Sequence, residues 1–304
     1  MATYYTDIAD LRLSAVLAAE IQLLLADRAS LWRHPAITYL GDQAGSGSST
    51  RKVPFAALGS TAMSAIAENA SATDTAIVDA SVSLSISRNV LQRSISDLAN
   101  LTDSVGLNVS GLAMEAVGAA ELRFQEMVCT AGAGFTTVAG TTATAMSVND
   151  WFDAQFGLTQ ASATGPAIAC LYPKQWTDLQ SSLRAESSNM IAFSPDDRSN
   201  LDLSGQGFVG RFNGVDIMVS TYVPTANAGA DSAGFLAVQG AIGYAEGTVT
   251  SVRGGSEVIP VASTSVFTEI SRDPSGALTK LVHNYYAAVA VLQDGMGVAI
   301  ITDR

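Results

Sequence analysis

The chain has 304 residues, of which 48% are apolar and only 14% charged, against about a quarter charged in an average globular protein. That apolar content excludes disorder throughout, and the length suffices for a large core in one elongated body or two domains. A net charge of −12, with three lysines (Lys52, Lys174, Lys280) and no basic cluster, argues against a dedicated nucleic-acid reader but permits a container that merely tolerates DNA.

The opening residues, Met1 to Asp7, lack the basic lead and apolar core of a signal peptide. Ile8, Leu11, Val16, Ala19, Leu23 and Ala26 recur at helical spacing, which predicts an amphipathic helix over 7–30 that His34-Pro35 interrupts. Glu20 and Gln22 break the Leu13–Leu25 stretch, so no membrane span is expected there. A glycine-serine loop covers 41–50. From Arg51 the period changes to two: Val53-Pro54-Phe55 is extended, and over 76–90 Val78, Ala80, Val82, Leu84 and Ile86 alternate with Asp79, Ser81, Ser83, Ser85 and Ser87. The two segments predict a long antiparallel hairpin with Ser60–Thr75 at its tip. Such a hairpin buries little within its own chain and calls for a neighbour.

Residues 93–130 carry apolar residues three or four apart (Ile95, Leu98, Leu101, Val105, Val109, Leu112, Ala116, Ala120, Phe124) and read as mainly helical. A Gly/Thr-rich connection follows, and Ser147 is placed to cap a helix over 148–162. Ala167–Leu171 reads as a strand, Pro173–Leu183 as a short helix and 185–206 as a polar surface loop. Asn213-Gly214 marks a hairpin whose outgoing strand is Ile217-Met218-Val219. Phe235–Val238, Val266–Ser271, Leu278–Val291 and Met296–Thr302 are strand material, and Ala241–Tyr244 is left as a short helix or a continuing apolar segment. Tyr285, Ala287, Val289 and Val291 alternate with Tyr286, Ala288, Ala290 and Leu292, so both faces of that part of the strand should be covered.

Catalytic chemistry finds no foothold. Gly205-Gln-Gly-Phe-Val-Gly210 matches a dinucleotide fingerprint formally, but a polar loop precedes it and a hairpin follows, where pyrophosphate binding needs a strand before and a helix after. The two histidines, His34 and His283, have no metal-ligand spacing to Cys129 or Cys170. Cys129 and Cys170 read as buried reduced thiols rather than a disulfide scaffold. No nucleophile elbow occurs, and acid pairs such as Asp196-Asp197 read as solvated charge. No catalytic residue, cofactor or metal site is expected.

Four pieces in one order change the picture. They are Thr50-Arg-Lys-Val-Pro-Phe55 with Ile77–Ile86, the long helix around Leu101–Ala131, Gly210–Pro224 followed by Phe235–Val238 and Gly240–Tyr244, and Tyr285–Ile301. Together they resemble the major capsid protein of tailed bacteriophages, an α+β chain of the Hong Kong 97-type fold. The resemblance implies an N-terminal arm (1–50), an E-loop hairpin (51–90), a peripheral domain with its spine helix (91–146), an axial domain (147–265) and a C-terminal return into the peripheral sheet (266–304). It implies a structural protein, not an enzyme, assembling as pentamers and hexamers into an icosahedral shell around double-stranded DNA. Scaffolding, portal and decoration proteins are its implied partners, DNA contact is non-specific, no membrane is involved, and assembly takes place in the host bacterial cytoplasm. Val53, Phe55, Val78, Val82, Leu84 and Ile86 are the expected inter-subunit contacts. Some relatives crosslink an E-loop lysine to an asparagine, but Lys52 and Asn284 stand in no matching motif. An encapsulin-like compartment shell and, further off, a secreted adhesin are the competing readings.

Overall fold

The structure is a computed structural model that describes Leu31 and residues 34–43, 48–57, 78–97, 109–186, 208–248, 257–260 and 266–304. The expected helix over 7–30, the hairpin tip at 60–75 and most of the 185–206 loop lie outside the described residues. In chain order come strands β1 (Ile37–Asp42), β2 (Thr50–Ala57), β3 (Val78–Ser85) and β4 (Ser87–Ser96), then helix α1 (Val109–Gly132) and β5 (Val138–Ala139). Next are α2 (Val148–Gln160), β6 (Ala167–Leu171), α3 (Pro173–Glu186), β7 (Phe208–Phe212), β8 (Val215–Val219) and β9 (Thr225–Ala226). The last are β10 (Asp231–Val238), β11 (Ile242–Glu246), β12 (Glu257–Pro260), β13 (Val266–Asp273), β14 (Leu278–Val291) and β15 (Gly297–Asp303).

Two sheets and one separate ribbon organise these strands. The six-stranded sheet runs β1-β11-β14-β13-β12, with β4 also paired to β14. The seven-stranded sheet runs β5-β15-β10-β6-β8-β7, with β9 on β10. Strands β2 and β3 pair only with each other, Thr50 opposite Ser85 through Ala57 opposite Val78.

The seven-stranded sheet is buried on both faces, and its alternation sorts the core. Ile168, Cys170, Phe235, Ala237 and Ala299 point to the side where α1 lays Phe124, Val128 and Cys129. Ala169, Leu171, Leu236, Val298 and Ile300 point to the other side, against Trp151, Ala154 and Leu158 of α2 and Leu179 and Leu183 of α3. Burial on both faces explains why these strands read as unbroken apolar runs. Helix α1 presents Ala116, Ala120, Phe124 and Val128, spaced four apart, to both sheets, so it bridges them. The approach is tight where glycine replaces a side chain: a Cβ on Gly132 would overlap the ring of Phe235, and one on Gly297 the ring of Phe135.

Helix α2 starts as its sequence signals. Ser147 Oγ accepts from the Asp150 N–H at 3.3 Å while Asp150 Oδ2 accepts from the Ser147 N–H at 2.7 Å, a complete capping box. The Asn213-Gly214 turn has φ of 50° and 80° at those residues, the left-handed pair that a two-residue hairpin requires. The strand following the glycine fingerprint turns here into β8, so no helix N-terminus is available to a pyrophosphate.

Two expectations need correction. Residues 93–96 are not helical: they continue β4, antiparallel to β14 from Ser96 opposite Leu278 to Ser87 opposite Ala287. Antiparallel pairing along the edge of β14 decides for strand over the local helical spacing. The segment 241–244, left open between a short helix and a continuing apolar segment, is not helical: from Ile242 it runs as strand β11, between β1 and β14.

Candidate assembly surfaces

The β2–β3 ribbon leaves the molecule from a fixed root. The chain swings between β3 and β4 at Ile86, whose N–H donates to the Ser49 carbonyl at 2.8 Å. The alternation seen in the sequence holds through this region: Ser81, Ser83 and Ser85 are exposed, while Val82 and Ile86 are half-buried and Leu84 is only 1% exposed. Leu84, Val53, Val82 and Ile86 form a cluster with Leu40, Ala245, Ala288, Ala290 and Leu292. The root of the ribbon therefore covers one face of β11 and β14, whose opposite face carries Tyr285, Ala287, Val289 and Val291 toward α1. So the root of the ribbon buries more within its own chain than the little that was expected. Leu84 belongs to that internal seal. Of the other expected contact residues, Val53, Val82 and Ile86 are only partly covered by it. The side chains of Phe55 and Val78 lie outside the described residues.

Between this root and α1 runs a trough of about 490 Å³ whose walls include Ser83, Ser85, Arg123, Glu126, Thr130 and Ala287. A second cleft of about 410 Å³ lies between α1 and the β4–β14 ladder. Its floor is held by side-chain bonds: Arg88 Nε donates to Asn284 Oδ1 at 2.7 Å, and Arg123 Nε to Asn89 Oδ1 at 2.8 Å. Arg93 Nε donates to Glu115 at 2.8 Å, tying β4 to α1. Asn284 is fully buried by these neighbours, so it presents no amide to another subunit's lysine, while Lys52 is exposed on the ribbon.

A separate apolar surface stands on α2. Phe152 and Phe156 are four apart, hence on one helix face, and are 40% and 60% exposed. The i, i+3, i+7 spacing of Trp151, Ala154 and Leu158 marks the core face, and Phe152 and Phe156 fall outside it.

The two histidines are buried. His34 Nε2 lies 3.0 Å from Asp216 Oδ2, but its Nδ1 accepts the Ala36 N–H at 3.2 Å, so both ring nitrogens are engaged inside the core. Burial holds the His34 imidazole below its ordinary value, with Asp216 opposing. His283 is likewise lowered by burial, and its Nδ1 is 2.8 Å from Thr268 Oγ1. Among the described residues there is no cluster of three or more metal-ligating side chains, and no helix is long and apolar enough to cross a membrane.

No protein-family profile and no curated protein sequence matches the chain. Solved structures do match it along most of its length. The capsid of cyanophage P-SCSP1u is 14% identical, covers 91% of this chain and 89% of its own, and superposes with a TM-score of 0.58. The capsid of a native GTA particle is 11% identical, with 91% and 90% coverage and a TM-score of 0.60. The SrpI encapsulin of Synechococcus elongatus is 11% identical, with 90% and 87% coverage and a TM-score of 0.60. Two sheets bridged by a long helix, a ribbon rooted beside them and this likeness lead to one conclusion: the chain has the α+β Hong Kong 97-type capsid fold.

Proposed function

We propose that the chain is the shell-forming subunit of an icosahedral virus capsid, assembling as pentamers and hexamers around double-stranded DNA. The observation that carries this reading is the match to phage capsid subunits over about nine tenths of the chain. The low charge supports it, because surfaces that meet neighbours have less need of solvating groups than a free monomer has. So does the ribbon, whose partly covered Val53, Val82 and Ile86 leave apolar area for a second subunit beyond the internal seal.

In this reading 1–50 is the arm, 51–90 the E-loop, 91–146 and 266–304 the peripheral domain with α1 as its spine, and 147–265 the axial domain. The role is geometric and no bond is made or broken. Assembly takes place in the cytoplasm of a bacterial host, with scaffolding, portal and decoration proteins as partners. DNA is held without sequence preference, and the net charge of −12 argues against a dedicated nucleic-acid reader. The likeness to an encapsulin favours a second reading, a protein compartment with the same subunit geometry.

Cryo-electron microscopy of the largest species purified from expressing cells tests both. Closed shells with layered duplex density are expected. Closed shells filled with protein cargo would replace the capsid reading with the compartment, and a monomer or dimer at every salt and concentration would remove both.

A further inference from the structure

Cys129 and Cys170 are 41 positions apart in sequence yet meet in the core. Cys129 lies on the face of α1 that meets the seven-stranded sheet, and Cys170 lies on β6 near the middle of that sheet. Both are 0% exposed, both are free thiols, and their sulfurs are 3.2 Å apart. A disulfide needs about 2.05 Å between sulfurs, so side-chain adjustment of about 1.2 Å would close the bond. We propose that Cys129 and Cys170 are a disulfide site, a latent staple between the bridging helix and the seven-stranded sheet.

The surroundings determine how the bond is made. Burial pushes the Cys170 thiol well up, so it stays protonated while the core is closed. Phe124, Val128, Ile168 and Phe235 pack into the same cluster, leaving no room for a bulky mixed disulfide. Closure therefore takes place while the helix is off the sheet, during folding or local opening, with a small-molecule disulfide as oxidant. One cysteine thiolate attacks that disulfide and releases one small thiol. The second cysteine thiolate then attacks the protein-bound sulfur and releases the other. Two protein thiols become one disulfide, the oxidant is reduced to two thiols, and the two cysteine protons end on those thiols. Once α1 closes, the packing that blocked entry also shields the bond from reductants.

The staple closes a loop between residues 41 positions apart. Since α1 also packs against β14 and β11, fixing it to β6 ties the two sheets together through one covalent link.

The test uses the full-length chain refolded in a glutathione buffer, with reduced protein as reference. After acid quenching and denaturation, thiol-specific alkylation and peptide mass mapping should show the loss of two hydrogens and a single 129–170 crosslinked peptide. The oxidised protein should unfold on the order of 5 °C higher than the reduced protein, and reduction with dithiothreitol in denaturant before refolding should abolish the difference. Cys129→Ser and Cys170→Ala should each remove the redox dependence, and the conservative Cys170→Ala provides a folded control if the serine variant is unstable. Two alkylatable thiols after oxidative refolding, bonds only between chains, or an oxidised form no more stable than the reduced one would each overturn the proposal.

Discussion

At the scale of single residues, the burial of the two histidines makes stability depend on pH. His34 and His283 are its only imidazoles, and desolvation holds both below their ordinary value of 6.5. Asp216 pulls His34 up and Arg211 pushes it down, while Glu115 and Arg93 act on His283 in the same opposed way, and burial outweighs both pairs. The unfolded chain then takes up protons as pH falls through 6.5 while the folded chain does not, so stability is full above that value and declines below it. The denaturant midpoint should therefore fall between about pH 7.5 and about pH 5.5, and the His34→Gln/His283→Gln double variant should be flatter across that window. A wild-type midpoint that stayed level there would contradict the burial of both rings. The carboxylates act in a separate window. Asp273, lowered to about 2 by Ser275 and Lys280, and Asp303, lowered by Lys174, contribute stability above 3.8 that is lost as pH falls below it.

At the scale of elements, the two faces of β3 should respond differently to charge. Val82 lies half-buried against Ala245 and Ala288 beneath the ribbon, and Ser83 beside it is exposed. Val82→Asp should lose about 2 kcal/mol of stability and most particle yield, because an unpaired carboxylate would enter the seal. Ser83→Asp should leave the unfolding midpoint within about 0.5 kcal/mol of wild type. Equal midpoints for the two variants would remove the face assignment. The alternation that separates Val82 from Ser83 was legible in the sequence, as were the Ser147 cap, the Asn213-Gly214 turn and the bounds of β14, because each rests on neighbouring residues. The cover over Val82 was not legible, because Ala245 and Ala288 lie more than a hundred residues away in the chain. The end of β4 at 93–96 was missed for the same reason: Arg93 pairs with Leu281, and a partner 188 positions distant leaves no local trace. The thiol pair was invisible on the same ground, since two cysteines in separate elements carry no spacing rule.

At the scale of the molecule, stability and assembly should be separable. The ribbon root is sealed by Leu84, while the segment 60–75 lies beyond the last β2–β3 pair, Ala57 with Val78. Replacing 60–75 by a short turn should leave the midpoint within about 1 kcal/mol of wild type, since loop length alters closure entropy slowly. Shell yield, counted by electron microscopy and size exclusion, should fall several-fold. Unchanged particles would mean that the tip takes no part in subunit contact. The pairing of β14 and β15 carries a consequence for synthesis. β14 is the strand to which β4, β11 and β13 all pair, and β15 completes β10 and β5. Neither sheet can close until residues 278–303 have left the ribosome, so the growing chain must wait, held open, through the translation of everything before them. A product cut short anywhere upstream of 278 lacks both the strand shared by β4, β11 and β13 and the strand that joins β10 to β5, so both sheets are left incomplete.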